Sequence, residues 1–328
     1  SGGHRLMKKE IGGYFELEEM AGEEYYPDLY KVNLGRTALL WLLESHQYKK
    51  IYLPVFLCQS VIDICRDHDI EVEFYHLDAD LNILLEEREL PAEECLYLVS
   101  YYGQLTDEKI LYCQKVYGNV IVDHTHAFFQ KPLKGVDTLY SCRKFWGVSD
   151  GAYVSTDIAL SGEKPEDRSG GRMSHILGRY EENAGKYYQA MLDNAAGYEG
   201  MEIRKMSRLT SNLLKAIDYE KGKKQREANY ALLAELLPSD SVFNRVIPEG
   251  PFAYPYYHKN GMALRRWLAG HKIFVPTYWK NIFEQCSEDS LEYQWTAEIL
   301  PLPCDQRYGE EEMRYIAARI REWEASAE

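Results

Sequence analysis

NVIVDHTHAFFQKPLKGVDTLYSCRKFWGVSDGAYVS, residues 119–155, decides how this chain is read. The apolar run Val120-Ile121-Val122 ends in Asp123, the pattern of a buried strand that delivers a carboxylate at its C-terminal edge. A second run, Thr138 to Ser141, leads into Arg143-Lys144 and the turn Ser149-Asp150-Gly151. A third, Ala152 to Ser155, returns as a strand. One acid and one lysine thus stand at strand ends of one sheet.

Taken singly, Asp123 is a strand-terminal acid and Lys144 a lysine on a surface turn. Together they suit pyridoxal 5'-phosphate (PLP). That cofactor needs an amine for its aldehyde and a carboxylate at its pyridine nitrogen, so that the protonated ring draws electrons. Such a lysine must lose its proton, and a half-buried cationic setting lowers its pKa. His126, three residues past Asp123, is placed to reach the ring's phenolic oxygen.

The same residues carry a resemblance. DHTHAFF followed by SCRKFWGVSDGAYVS is similar to the DegT/DnrJ/EryC1/StrS family of fold-type-I, PLP-dependent sugar aminotransferases. The resemblance makes Lys144 the lysine that binds the cofactor covalently and acts as catalytic base. It makes Asp123 the partner of the pyridine nitrogen and assigns His126 and Ser141 to the cofactor. Asp150-Gly151-Ala152 stands in for the family's glycine-rich turn. Ser141 lies three residues before Lys144, a shorter loop than the family's usual one.

Upstream, Asn33-Leu34-Gly35-Arg36-Thr37 reads as a turn opening an apolar helix over Ala38 to Leu43. Backbone N–H groups at such a start attract phosphate, and a capping turn explains the same residues equally well. The resemblance places the cofactor phosphate on Gly35, Arg36 and Thr37. It also puts a ring-stacking aromatic where Cys58 stands here, with Phe56 nearby as either that ring or a core residue. Arg204-Lys205-Met206-Ser207 resembles a family motif whose Asn reaches the partner subunit's phosphate. Ile203 occupies the Asn position, and Arg143 is a candidate replacement donor or an ordinary ion-pair partner.

The rest of the chain is consistent with βα units and a parallel sheet whose sites lie at strand C-termini. Strands are expected at 50–54, 71–77 and 95–101, and helices at 60–66 and 106–117. A polar loop is expected at 157–172, with helices at 173–194 and one or two over 203–237. Beyond Leu237-Pro238, strands are expected at 242–247, 252–258 and 273–275, with helices at 261–271 and 310–323. The resulting fold class is α/β: a fold-type-I PLP-dependent transferase. It divides into a large PLP-binding domain, 1–237, with a mostly parallel mixed sheet, and a small C-terminal α/β domain, 238–328. Residues 1–6, before Met7, read as an expression remnant.

Composition narrows the function. A net charge of −14 argues against nucleic acid or an anionic membrane as main partner, so an anionic substrate needs a locally basic pocket. Seven cysteines without a CxxC pair suit a reducing cytoplasm. No apolar run reaches membrane-spanning length. His124 and His126, one residue apart, would share a strand face, yet no third ligand is near and no metal is expected. The resemblance implies amino transfer from glutamate or glutamine to a keto acceptor, in a homodimer. The resemblance makes that acceptor a nucleotide-linked keto-sugar for surface polysaccharide. Tyr254, Tyr256, Tyr257, His258, Tyr278, Trp279 and Lys280 are the substrate candidates. The alternative is a PLP-binding relative with little transaminase activity, acting as a binding or regulatory protein.

Overall fold

The computed structural model describes residues 10–326, so the expected remnant at 1–6 lies outside the described residues. Among the described residues, ten strands form two sheets. In chain order they are β1 (Tyr30–Val32), β2 (Lys50–Pro54), β3 (Glu71–Leu77), β4 (Ile83–Leu84), β5 (Glu94–Val99), β6 (Val120–Asp123), β7 (Asp137–Ser141), β8 (Ala152–Ser155), β9 (Tyr254–Tyr257) and β10 (Ile299–Leu302). The first eight make one sheet in the order β1-β8-β7-β6-β5-β2-β3-β4. The ladders from β3 through β7 are parallel, and β8, β1 and β4 run against their neighbours. β9 and β10 pair antiparallel as a separate ribbon.

Sequence chemistry explains the layers. β5 (ECLYLV) and β6 (VIVD) are apolar on both faces because helices cover a parallel sheet on both sides. Three helices serve the large sheet first: α1 (Gly35–His46), α2 (Gln59–Asp67) and α3 (Asp107–Tyr117). Thr106 caps α3, its hydroxyl accepting from the Lys109 N–H at 3.3 Å, with Asp107 and Glu108 in the first turn. The helices α4 (Ser174–Glu181) and α5 (Tyr188–Ala196) follow a long loop, then α6 (Arg208–Leu214) and α7 (Tyr219–Leu236). α8 (Gly261–Gly270), α9 (Ile282–Gln285), α10 (Leu291–Glu298) and α11 (Glu310–Ser326) complete the chain. α9 and α10 had no sequence-based expectation. A second core, with Leu264, Leu268, Leu300, Leu302, Met313 and Ile316, takes in Tyr230, Leu233 and Leu237 from α7 and the residue after it.

Two expected strands are not strands. At 242–247, Ser241 starts a tight turn instead, its hydroxyl accepting from the Phe243 N–H at 3.0 Å. The Gln104 side chain then takes both the N–H and the C=O of Val246, each at 2.8 Å, which leaves no backbone edge for a sheet. At 273–275 the Ile273 N–H closes α8 on Leu268, and Pro276 has no N–H to give. The strand expected over 95–101 stops at Val99, because Tyr102 and Gly103 take left-handed backbone angles of φ 50° and 73°.

Asp150 joins the loop before β8 to the start of α6. It is fully buried and accepts from the Ser207 N–H at 2.8 Å, the Ser207 hydroxyl at 2.8 Å and the Thr210 hydroxyl. Asp150→Ala strands those donors out of reach of water and should cost roughly 2–4 kcal/mol. Asp150→Asn keeps an acceptor oxygen and should cost less. Urea unfolding midpoints of the two variants check the order; equal midpoints for wild type and Asp150→Ala would refute it.

Candidate active site

Parallel strands in one sheet end at one edge, so their C-terminal loops collect there. β6 delivers Asp123 to that edge and β7 delivers Ser141. The loop after β2 brings Cys58, the residue preceding α2. The turn opening α1 approaches from the side: a Cβ built on Gly35 would lie 3.9 Å from the Ser141 Cβ. Lys144 sits in the turn between β7 and β8, where the N–H groups of Phe145 and Trp146 both return to the Cys142 carbonyl.

Lys144 and Asp123 lie within electrostatic reach of one another, each acting on the other's ionisation. Burial lowers the Lys144 pKa first. Cys58 and Asp123 push it up, while Arg143 and Arg36 push it down. Lys144 and Arg143 keep solvent contact, yet protein crowds the cleft around them, which is why desolvation governs both. Asp123 is only 5 % exposed. Burial raises its pKa, and donors from Tyr97 and Thr125, with the Lys144 charge, work against that rise.

The remaining expected residues divide. Arg143 stacks its guanidinium on Tyr198 at 4.1 Å and feels the positive charges of Arg36 and Arg172. Among the described residues, no carboxylate stands within ion-pair distance of Arg143 or Arg36, so the ordinary ion-pair role for Arg143 is not what the structure has. Cys58 contacts the Ser60 hydroxyl at 3.2 Å. His126 is buried, stacked on Phe252 at 4.0 Å, with Trp279 and Tyr278 beside it. Its Nδ1 faces the Tyr102 N–H at 3.4 Å, which leaves the proton on Nε2, and burial drives its pKa well down.

Four further positions are placed by the structure. The Thr37 hydroxyl is fully buried and spends itself on its own turn, donating toward Asn33 Oδ1 at 2.5 Å and accepting from the Leu34 N–H at 3.2 Å. It shapes the turn that opens α1. Phe56 is core, packed on Tyr101, Trp279 and Trp295. Ile203 is buried in the main core. His124 and His126 lie in the turn past β6, where His124 stacks on Tyr140 and His126 on Phe252. Among the described residues, no group of three metal-ligating side chains is close enough to hold an ion.

Of the substrate candidates, Tyr254 and Tyr256 are core residues bonded to the Leu237 carbonyl and Glu324. Tyr278 covers Lys144, whose Nζ stands 5.6 Å from the ring centre. A cavity of about 310 Å³ runs from Lys144 and Arg143 past Phe252, Tyr278 and Pro303 to Arg307. Asp123 and His126 are not on its walls. Size does not single it out, since grooves of about 480 and 550 Å³ lie beside His76 and beside Trp41. Its lysine and unpaired arginine do. Sequence reasoning missed Asn33, which is wholly buried and joins three segments. It bonds Thr37, the Arg204 carbonyl and, through its own carbonyl, the Gly151 N–H. It also missed Tyr97 and Tyr198, which no local pattern marks.

No protein-family model matches the chain, and no curated protein matches it. Solved structures do. A DegT DnrJ EryC1 StrS aminotransferase from Brucella abortus is 15 % identical, with a TM-score of 0.59 over 90 % of this chain and 85 % of that one. Spr1654 from Streptococcus pneumoniae in its PLP form is 12 % identical, at 0.58 over 89 % and 86 %. DesI in the presence of its TDP-sugar product is 14 % identical, at 0.60 over 88 % and 79 %. The fold is that of the fold-type-I sugar aminotransferases. The family resembled in the sequence and the family among the structural neighbours are the same.

The ionisation pattern is testable without any ligand. Arg143→Gln removes a positive neighbour, so the Lys144 pKa should rise. Competitive acetylation across pH, read at Lys144 by mass spectrometry, should show the midpoint moving up. A fall or no change would contradict the cleft electrostatics.

Proposed function

We propose that this chain is a PLP-dependent aminotransferase that moves an amino group from glutamate or glutamine to a keto-sugar carried on a nucleotide. The observation that carries the reading is the pairing of a pKa-lowered Lys144 with a buried, donor-held Asp123 at one sheet edge. The residues present fit PLP. Lys144 supplies an amine and Asp123 an anion for the pyridine nitrogen. Gly35 and Arg36 supply the free N–H groups of α1's first turn, with Ser141 alongside. Arg36 and Arg143 supply positive charge without a carboxylate partner, which suits a phosphate dianion. His126 offers Nε2–H, and Cys58 stands where a ring-covering side chain is expected.

PLP, when bound, supplies an aldehyde that carries nitrogen and a ring that accepts electrons. This chain's own groups do the rest. The Lys144 amine, its hold on a proton loosened by desolvation and by its cationic neighbours, takes a proton from the substrate carbon and returns one. Tyr278 and Phe252 line the lysine's side of the cleft and narrow it. The 310 Å³ cavity leading away from Lys144, with Arg143 in its wall, receives the acceptor. A cytoplasmic homodimer serving surface-polysaccharide assembly, with a boundary between domains near Leu237, completes the proposal. No helix among the described residues is long and apolar enough to cross a membrane.

Purified protein mixed with PLP should develop the visible absorption of a lysine-bound cofactor, and borohydride should fix it to Lys144. L-Glutamate should bleach the band. Lys144→Ala should abolish trapping and lower turnover on the order of 10²–10⁴-fold. Asp123→Asn should fold normally and slow turnover by roughly 10²–10³-fold. The buried Ile203 and the self-engaged Thr37 favour a second reading, a PLP-binding protein with little transferase activity. A band that forms and that no amino donor bleaches would select it.

A further inference from the structure

Asp123 is held by a residue outside every sequence-based expectation. β5 and β6 run parallel in the register Tyr97↔Ile121 and Val99↔Asp123, so Tyr97 and Asp123 project from the same face, one rung apart. Tyr97 is 1 % exposed, and its O–H donates to Asp123 Oδ2. The Thr125 N–H donates to the other oxygen, Oδ1, at 2.8 Å. The Tyr75 hydroxyl, from the same neighbourhood, donates to the Tyr97 main-chain carbonyl at 2.6 Å and does not reach Asp123. The charged and titratable groups around the carboxylate are Tyr97 and Tyr101 at β5 and just past it, and Lys144 across the cleft; Cys58 faces Tyr97 and Lys144.

We propose that Tyr97 is a positioning residue: its O–H holds Asp123 ionised and in one orientation, so that the proton on the ring nitrogen of bound PLP stays on nitrogen. The inference rests on the reading above, in which Asp123 meets that nitrogen. A buried carboxylate is a stronger base than an exposed one and would draw the proton to itself. A hydrogen bond to the charged form weakens the base. Burial pulls Asp123 toward protonation, and Tyr97 is the foremost of the groups that oppose it. The Tyr97 phenol is itself deeply buried beside an anion, so it remains protonated and remains a donor. One proton is at stake: with the donor present it rests on the ring nitrogen, and without it the proton passes to a carboxylate oxygen, leaving a neutral pyridine and a neutral acid. The ring then draws electrons less strongly.

The experiment loads the full chain with PLP labelled with ¹⁵N at the ring and reads the nitrogen shift against pH, with borohydride trapping at Lys144 as the loading check. In wild type the nitrogen should stay protonated into alkaline pH. In Tyr97→Phe its deprotonation midpoint should fall by about one to two pH units, the worth of a hydrogen bond to a charged group. Tyr75→Phe removes a buried hydroxyl of the same strand neighbourhood without touching Asp123, and should leave the midpoint in place. Site-specific 3-fluorotyrosine at position 97 keeps the shape and strengthens the donor, so the midpoint should rise even if Tyr97→Phe folds poorly. Unchanged midpoints in both position-97 variants overturn the inference while leaving the proposed function standing. A wild type that traps no PLP on Lys144 overturns both.

Discussion

The site depends on a carboxylate at the end of a strand that is buried on both faces. β6 lies second from one side of the parallel core, between β7 and β5, and Asp123 at its end is buried. Burying a charge is costly unless partners meet it. The fold supplies them from three directions: a phenol from the adjacent strand, a backbone N–H two residues on, and an ammonium from the loop after the next strand. The phenol is placed by strand register, and the other two by the short turns that follow β6 and β7. The sheet that makes the core therefore also sets the chemistry at its edge.

Lys144 faces the opposite problem. It sits in a cationic corner of a chain with net charge −14, where Arg143 and Arg36 add to the cost of its own positive charge. That corner is stabilised from the segment just past α5. α5 has no buried residue of its own, yet Tyr198 just beyond it is buried, donates to the Ser149 carbonyl and offers its ring to Arg143. The ring accepts the guanidinium without neutralising it. A carboxylate there would have cancelled the charge that keeps the lysine's proton loosely held.

Sheet, helices and the Asp123–Lys144 pair were legible because each rests on a local pattern: apolar runs, caps and a strand-terminal acid. What was not legible rests on long-range partners. The segments at 242–247 and 273–275 carry strand-like residues, but Gln104 and the end of α8 take their backbone groups. Thr37 looked available because nothing near it in sequence shows that Asn33 turns inward. Tyr97 read as one more apolar strand residue. Its hydroxyl becomes meaningful only when the register to β6 is known.

The departures from the resembled family bear on one another. Ile203 joins the main core, so that position offers no donor, and the Thr37 hydroxyl is consumed by its own turn. Two neutral donors that a phosphate could use are thereby withdrawn. Meanwhile Arg36 and Arg143 stand near enough to repel each other, and no carboxylate among the described residues relieves them. Two like charges crowded together cost the protein stability when alone, and a dianion between them would relieve that cost. Replacing hydroxyl and amide donors with guanidiniums would shift the hold on a phosphate from short-range geometry toward charge. Charge acts at longer range and is screened by salt. Retention of an anionic ligand in this chain should accordingly respond to ionic strength more than it would at a site built from neutral donors.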